Sequence, residues 1–450
     1  MDSTADYISS YAAELAYTDL NPKALHAVKR SLIDSLGCAL GAFAAEPVKI
    51  ARRLASRTSS TTPATLFGTH IKTTPEMATF VNGIMVRYLD FSDDYINNDG
   101  PHPSDNIPAV LAIAEAMHAD GKALVSGIVL AYELVDRLVD SAHFRTRGWD
   151  YVTETSIGSA LGAGKVLGLS KHAMAQALAL AIAPNIAVRQ TRASELSMWK
   201  GCAGPNGARN GLFAALLASE GMSGPEEIIE GQYGLWKQVT GQFALAPFGG
   251  KERPYMIEET FFKSIPVMYT SMSPVETALK LHPEVNVDDI ESIDVEVDAF
   301  SLATGDSPAK HDPHTRETAD HSTPYLIAAA LVDGKISEAT FTPQRYRDPK
   351  ILDLLRRLVM RENPQFTTEW PKTFQCRIEV KGKSGKQWTA HLKHPKGHPE
   401  NPMSDRDIEE KFLKLTHETL TPKQARNAID LVWRLEEIRD VGEICAAIVV

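Results

Sequence analysis

The spacing of apolar residues changes twice along the chain, and this change constrains the fold more than any other feature. Up to about residue 262, apolar side chains recur at helical spacing in segment after segment. The sequence IESIDVEVDAF (290–300) instead alternates apolar and polar residues, which is typical of a strand. From Ser404, a good N-cap, the spacing is helical again. The pattern predicts a helical domain into which a domain of another class is inserted.

The predicted helices of the first part are rich in alanine and glycine. Asn21 and Pro22 supply an N-cap and a first-turn proline for one helix. Further helices are predicted at 107–119, 122–140, 156–168, 170–183 and 206–220. Because glycine weakens an exposed helix, glycines inside these segments indicate close helix–helix packing, namely Gly158, Gly162, Gly164 and Gly168.

We predict a multidomain α and α+β fold. A large all-helical domain covers residues 1–262 and is completed by 400–450, and a smaller α+β domain is inserted at 263–399. Its clearest element is a hairpin in which the alternating residues 374–380 and 387–393 flank the turn KGKSGK. Helices are predicted at 273–282, 323–333, 348–360, 404–416 and 422–436. Two domains agree with a length of 450 residues, which exceeds what one core usually supports.

Composition excludes several classes of protein. A net charge of −10 argues against nucleic acid as a partner, because phosphate binding needs a basic surface. No apolar run is long enough to cross a bilayer, so no membrane partner is expected. The four cysteines are scattered without a CxxC pair, and the acidic N-terminus resembles no leader. We therefore expect a cytoplasmic protein without a thiolate metal site.

The densest polar cluster is YLDFSDDYINNDGPHPSDN, residues 88–106. Its glycine and prolines restrict the loop, which contains Asp90, Asp93, Asp94 and His102. An imidazole titrates near neutral pH, and a nearby carboxylate can orient it and raise its basicity. The loop is thus a candidate for acid/base chemistry, with a solvated acidic loop of helix-capping aspartates as the alternative.

The stretch DFSDD also resembles the aspartate-rich motif of helical prenyl-diphosphate enzymes. Clustered carboxylates favour hard divalent cations. Such enzymes need a second metal-binding motif on another helix, and the sequence contains none. We therefore expect no metal site and keep this as a minor alternative.

Cations interrupt the small and apolar residues of segment 187–211. Arg189 and Arg192, at i,i+3 spacing, are candidates for a bidentate carboxylate clamp. Lys200 precedes Gly201, where a ligand can approach the backbone closely. The alternative is that all three are ordinary surface cations.

Two further segments add candidates. Lys263 lies in FFKSIPVMY at the predicted domain junction, where ligand sites tend to occur. His321 and Tyr325 are predicted to share one helix face at i,i+4 spacing. Their neighbours Asp320 and Ser322 are interpreted as N-caps. A surface lysine on a linker is the alternative for Lys263.

Together these segments resemble the MmgE/PrpD family, which includes 2-methylcitrate dehydratase and cis-aconitate decarboxylase. The resemblance rests on YLDFSDDY with GPHPSDN, RQTR with WKG, FFKSIP, and ADHSTPY, in that order. It runs from LIDSLGCALGA (32–42) to PKGHPENPMSD (395–405). Each block is weak alone, but four in this order are specific.

The resemblance implies a helical domain and an α+β domain, a homodimer, an active site in the interdomain cleft, and no metal or organic cofactor. It also implies that Asp90, His102, Lys200 and Lys263 surround the substrate, with His102 and Lys263 from different domains. We further expect Lys200 and Lys263 to bind substrate carboxylates from opposite domains. Asp93, Asp94, Arg189, Arg192, His321 and Tyr325 are then candidates for substrate binding. The chain departs from some family members, which carry a histidine after the lysine block, where this sequence reads Tyr269–Met272.

The predicted function is dehydration of a small citrate-like polycarboxylate such as 2-methylcitrate. A base must remove a proton alpha to a carboxylate, an acid must protonate the departing hydroxyl, and cations must stabilise the developing charge. His102, oriented by Asp90, is the predicted proton-transfer group. Decarboxylation of cis-aconitate, epimerisation or isomerisation of a dicarboxylate, and non-catalytic carboxylate binding remain alternatives.

Overall fold

The computed structural model describes residues 2–450, and 57% of the chain is helical. It divides into two compact units. The first unit takes the chain up to Thr191, then Gly201–Phe261 and Ser404–Val450. The second unit consists of Arg192–Lys200 and Phe262–Met403. Within residues 2–450, no single helix has the length and apolar character required to cross a membrane, although the bent pair Pro22–Gly41 and Glu46–Ala55 meets both criteria jointly.

The first unit consists mostly of helices that begin where the caps predict. Asn21 Oδ1 accepts a hydrogen bond from the backbone of Ala24 at 2.8 Å, and Pro22 opens the helix. The α-helices are Ser3–Glu14, Pro22–Gly41, Glu46–Ala55, Pro75–Arg87, Ile107–Ala116, Gly121–Ser141, Val152–Val166, Lys171–Ile182, Ala203–Ser219, Asp405–Thr416, Pro422–Trp433 and Gly442–Ala447. The prediction of an all-helical unit is wrong in one detail, because Ala64–Thr65 pairs antiparallel with Lys72–Thr73.

Three of the four predicted packing glycines do bring helices together. A β-carbon at Gly158 would lie 2.5 Å from Val135, and one at Gly162 would lie 2.8 Å from the Gly127 carbonyl oxygen. One at Gly164 would lie 2.9 Å from the Met174 sulfur. The prediction is wrong for Gly168, which meets no neighbour and adopts φ +67° just after its helix.

A buried lysine attaches the C-terminal helices to this unit. Lys411 Nζ lies 2.6 Å from Asp34 Oδ1 and donates to the Phe91 carbonyl oxygen, also at 2.6 Å. Both charged groups are almost completely buried. The segment from Ser404 onward is therefore part of the interior of the helical unit.

The second unit contains a four-stranded mixed sheet. Its strands are ordered Leu358–Glu362, Ile290–Val297, Cys376–Gly382, Gln387–Leu392. The first two are parallel and the other neighbouring pairs antiparallel, so the predicted hairpin is confirmed. The strand Leu358–Glu362 corrects the helix predicted at 348–360, because Leu358 pairs with Ile293 instead of continuing the helix that ends at Leu355.

The helices of this unit are Met272–Leu281, Ala299–Gly305, Arg316–Ala319, Thr323–Asp333, Pro343–Tyr346, Pro349–Leu355 and Pro364–Glu369. Residues 192–200, which the sequence analysis assigned to the helical domain, belong here. The reason lies in their bonds: the Leu196 amide donates to Thr318 Oγ1 at 2.9 Å, and Lys200 binds Asp320.

Candidate functional site

The acidic loop after the helix Pro75–Arg87 is buried. Asp90, Asp93, Asp94 and His102 are each at most 4% exposed. The alternative of a solvated acidic loop is therefore wrong. Buried carboxylates require protein partners, and these partners reveal how the loop is organised.

The imidazole of His102 has a defined tautomer. Its Nδ1 lies 2.6 Å from the backbone carbonyl oxygen of Asp93. Since a carbonyl can only accept, Nδ1 must carry the proton, and Nε2 of the neutral ring must be the proton acceptor. Nε2 lies 3.8 Å from Asp90 Oδ1, and Nδ1 lies 3.7 Å from Asp94 Oδ2. The two carboxylates thus flank the ring.

Arg87, which was not predicted as a site residue, pairs with Asp90. Its Nη1 donates to Asp90 Oδ1 at 2.7 Å, and the pair is buried. Burial alone would lower the pKa of Arg87, but Asp90, Tyr151 and Asp105 outweigh it and raise that pKa well above its ordinary value. Asp90 adopts φ +51°, a left-handed conformation that aspartate tolerates. An arginine at the end of an apolar helix, three residues before an aspartate, was the available signal.

Asp93 contacts His102 through its backbone carbonyl oxygen, whereas its carboxylate binds other residues. The Asp93 oxygens accept bonds from the Ser104 amide at 3.0 Å and the Tyr132 hydroxyl at 2.7 Å. Burial raises the pKa of Asp93 to about 6, although these bonds oppose the increase. We refer to Arg87, Asp90, Asp93, Asp94, His102 and Tyr132 as the His102 cluster.

The second unit contains a buried charge cluster centred on Asp320. Lys200 Nζ donates to both Asp320 carboxylate oxygens at 3.1 Å. Arg316 Nη1 lies 3.1 Å from Oδ2, and His321 Nδ1 lies 2.6 Å from Oδ1. Burial would raise the pKa of Asp320, but Lys200, His321 and Arg316 together hold it below its ordinary value. We call these four residues the Asp320 cluster.

This cluster corrects the interpretation of Asp320 as an N-cap. Ser322 caps the helix Thr323–Asp333 by accepting the Tyr325 amide, whereas the Asp320 carboxylate binds the side chains of Lys200, Arg316 and His321. His321 precedes the cap, so it does not share a helix face with Tyr325. The Tyr325 hydroxyl is buried and donates to the Thr340 carbonyl oxygen at 2.6 Å.

The two lysines are buried, Lys200 at 1% and Lys263 at 0% exposure. The alternative of solvated surface cations is therefore wrong for both. Both belong to the second unit, so the expectation that they come from opposite domains is also wrong. The reason is that the 192–200 segment bonds to the chain around Thr318 and Asp320.

The two arginines of RQTR have separate partners. Arg189 lies 3.7 Å from Asp99 in the first unit, and Arg192 donates to the Lys200 carbonyl oxygen at 2.9 Å in the second. Both lie in the 3-10 turn Arg189–Arg192, and the predicted carboxylate clamp stays a prediction. Arg192 fixes the backbone at Lys200.

The partners of the acidic loop also bear on the metal alternative. Asp90 is paired with Arg87, and both Asp93 oxygens are hydrogen-bonded by protein donors. A divalent cation would have to displace these donors to be bound by both carboxylates. The loop is organised around an imidazole, which favours acid/base chemistry.

Two protein-family models match the chain. Residues 6–247 match the MmgE/PrpD N-terminal domain, and residues 265–437 match the MmgE/PrpD C-terminal domain.

Three relatives illustrate the similarity. The mitochondrial 2-methylcitrate dehydratase of Yarrowia lipolytica is 27% identical over 81% of this chain and 72% of its own length. The 2-methylcitrate dehydratase of Salmonella typhimurium is 27% identical over 75% of this chain and 74% of its own length. The cis-aconitate decarboxylase of Mus musculus is 26% identical over 92% of this chain and 86% of its own length. With both domain matches in order along the sequence, the chain belongs to the MmgE/PrpD family.

Proposed function

We propose that this protein is a hydro-lyase that removes water from a citrate-like polycarboxylate such as 2-methylcitrate. The observation that carries the proposal is the 2.6 Å bond from His102 Nδ1 to the Asp93 carbonyl oxygen, which leaves Nε2 as the proton acceptor. Its chemical context is the family, in which relatives are named as dehydratases and a decarboxylase.

In the proposed reaction, His102 removes the proton alpha to a substrate carboxylate. Asp90 and Asp94 stabilise the imidazolium that forms, because each carboxylate lies within 4 Å of a ring nitrogen. The electron pair of the broken C–H bond forms the alkene, and the hydroxyl departs as water after receiving a proton. We assign that proton to the ammonium group of Lys200.

Lys200 and Lys263 are the proposed carboxylate-binding cations. A buried ammonium interacts with a carboxylate more strongly than a solvated one does, because little water screens it. Asp320 shares Lys200 with the substrate and fixes the direction of its N–H bonds. The charge that builds on the substrate carboxylate during proton removal is thus met by groups that are already oriented.

A second candidate is decarboxylation of cis-aconitate. It is favoured by the similarity to the mouse decarboxylase along 92% of the chain. Loss of carbon dioxide and loss of a proton both leave a carbanion-like centre next to a carboxylate, so the same cations serve either reaction.

Incubation with 2-methylcitrate, citrate and cis-aconitate separates these candidates. We expect 2-methylcitrate to give alkene absorbance without carbon dioxide. Release of carbon dioxide from cis-aconitate alone would establish the decarboxylase instead. Binding without any turnover would identify a non-catalytic carboxylate-binding protein.

Activity lost in EDTA and restored by magnesium would favour the metal alternative, whereas we expect EDTA to have no effect.

A further inference from the structure

Lys263 is completely buried in a segment that forms neither helix nor strand. A side chain that binds a charged substrate must be held accurately, because small displacements of a positioned group cost large factors in rate. The residues on either side of Lys263 are both tied to one distant turn, residues 394–401, within the same unit.

On the N-terminal side, the tie is a backbone contact. The Phe262 amide donates to the Gly397 carbonyl oxygen at 3.1 Å. Gly397 adopts φ +100°, which favours glycine, and a β-carbon there would overlap with the Phe262 carbonyl oxygen. The two backbones therefore approach as closely as they do only because residue 397 is glycine.

On the C-terminal side, the tie runs through Glu276 on the helix Met272–Leu281. Glu276 Oε1 accepts the Lys396 amide at 2.9 Å and the Ser264 hydroxyl at 3.4 Å. One carboxylate oxygen thus joins the turn to the residue that follows Lys263.

The turn itself is braced. The Gly397 amide donates to the Asn401 carbonyl oxygen at 2.8 Å, and the Asn401 amide donates to that of His398 at 2.8 Å. The Glu400 amide donates to His398 Nδ1 at 3.1 Å. Burial, together with His394, lowers the pKa of His398 to about 4, so the ring stays neutral and keeps accepting this bond.

We propose that Gly397 and Glu276 are positioning residues that hold Lys263 in place for the substrate carboxylate. The proposal rests on the function proposed above, in which Lys263 binds that carboxylate. It gives a role to the segment PKGHPENPMSD, which contains no candidate for the chemistry itself.

The test uses two variants. Glu276→Ala removes the oxygen that accepts the Lys396 amide and the Ser264 hydroxyl, whereas Glu276→Gln keeps an acceptor oxygen. We expect Glu276→Ala to raise KM for the substrate about tenfold or more, and Glu276→Gln to remain near wild type. In a Lys263→Met background, Glu276→Ala should have no further effect on KM, because its influence passes through Lys263. Asp298→Ala removes another buried carboxylate, which accepts the Ser301 amide and hydroxyl at the start of its own helix, and serves as the matched control.

A second readout does not depend on activity. Hydrogen exchange at the Phe262 amide should be faster in Glu276→Ala than in wild type or Asp298→Ala, because the turn 394–401 is then held less firmly against Phe262. Full additivity of the two substitutions, or unchanged exchange at Phe262, overturns the proposal. If wild-type protein turns over none of the polycarboxylates while exchange at Phe262 still responds to Glu276→Ala, the proposed function fails, but the positioning of the Lys263 segment by Glu276 is still supported.

Discussion

The ammonium group of Lys200 lies 3.1 Å from both carboxylate oxygens of Asp320, a residue 120 positions later in the chain. The pair is buried, and Arg316 and His321 share the same carboxylate. Lys200 therefore has two tasks, since it neutralises Asp320 and is proposed to bind substrate. These tasks can be separated by experiment.

We expect Lys200→Met and Lys263→Met each to weaken substrate binding roughly 10- to 150-fold. This factor corresponds to the loss of one hydrogen bond to a charged group, which contributes about 1.5–3 kcal/mol. Titration calorimetry measures this. Lys200→Met should also lower the free energy of unfolding, but by less than the roughly 3–5 kcal/mol of an unpaired buried charge, because Arg316 and His321 still bind Asp320. The exposed Lys423→Met is the control, and affinities equal to it would remove the lysines from the mechanism.

His102→Gln should lower turnover at least about a hundredfold while the protein remains folded, because a general acid/base group is lost. Steady-state kinetics and circular dichroism report the two properties. His172 is exposed, so His172→Gln should behave as wild type. A correctly folded His102→Gln protein with near wild-type turnover would exclude His102 as the proton-transfer group.

Arg87→Met should destabilise the protein by roughly 3–5 kcal/mol, because Asp90 would be left as a buried anion without its arginine. Chemical denaturation measures the loss. The double variant Arg87→Met/Asp90→Asn should lose less than the sum of the two single variants, since the anion is then absent as well. The exposed Arg57→Met gives the background effect, and a loss for Arg87→Met no greater than this would contradict the prediction.

Asp93 should make stability depend on pH. Its pKa is raised from 3.8 to about 6, so the folded protein holds this proton more tightly than the unfolded chain does. Its contribution to stability therefore decreases as pH rises from about 4 to about 6. The shift of about 2 units corresponds to about 3 kcal/mol.

Uncharged Asp93→Asn should gain about that much stability relative to wild type between about pH 4 and about pH 7, measured by urea unfolding. The comparison is between the two pH values, so any constant cost of altering the Tyr132 bond cancels. Exposed Asp430→Asn should show a much smaller change. An equal change in both variants would show that Asp93 is not responsible.

The helices and the hairpin could be predicted because their signals are local. Asn21 caps its helix within three residues, and the strands of the hairpin are joined by a short turn. The strand Leu358–Glu362 could not be predicted in this way. Its apolar residues continue the spacing of the preceding helix, and only pairing with the distant strand Ile290–Val297 makes it a strand.

The site was predictable to a similar extent. His102 and Asp90 stand out because they share one short loop, and Lys200 and Lys263 because they are charged among apolar neighbours. Asp320 was misinterpreted because its partner Lys200 is far away in sequence, so its position before a helix suggested a cap. The role of the Asp93 carbonyl was invisible, since backbone atoms carry no sequence signal.

The bond of Lys411 to Asp34 and to the Phe91 carbonyl oxygen has a consequence for biosynthesis. A ribosome completes residues 262–403 before it makes Lys411, so the α+β unit emerges whole while the helical unit still lacks its last three α-helices. Until those helices are translated, Asp34 has no Lys411 to neutralise it, and apolar helix faces of the first unit stay uncovered. The nascent helical segment is thus expected to depend on chaperones longer than the α+β unit does.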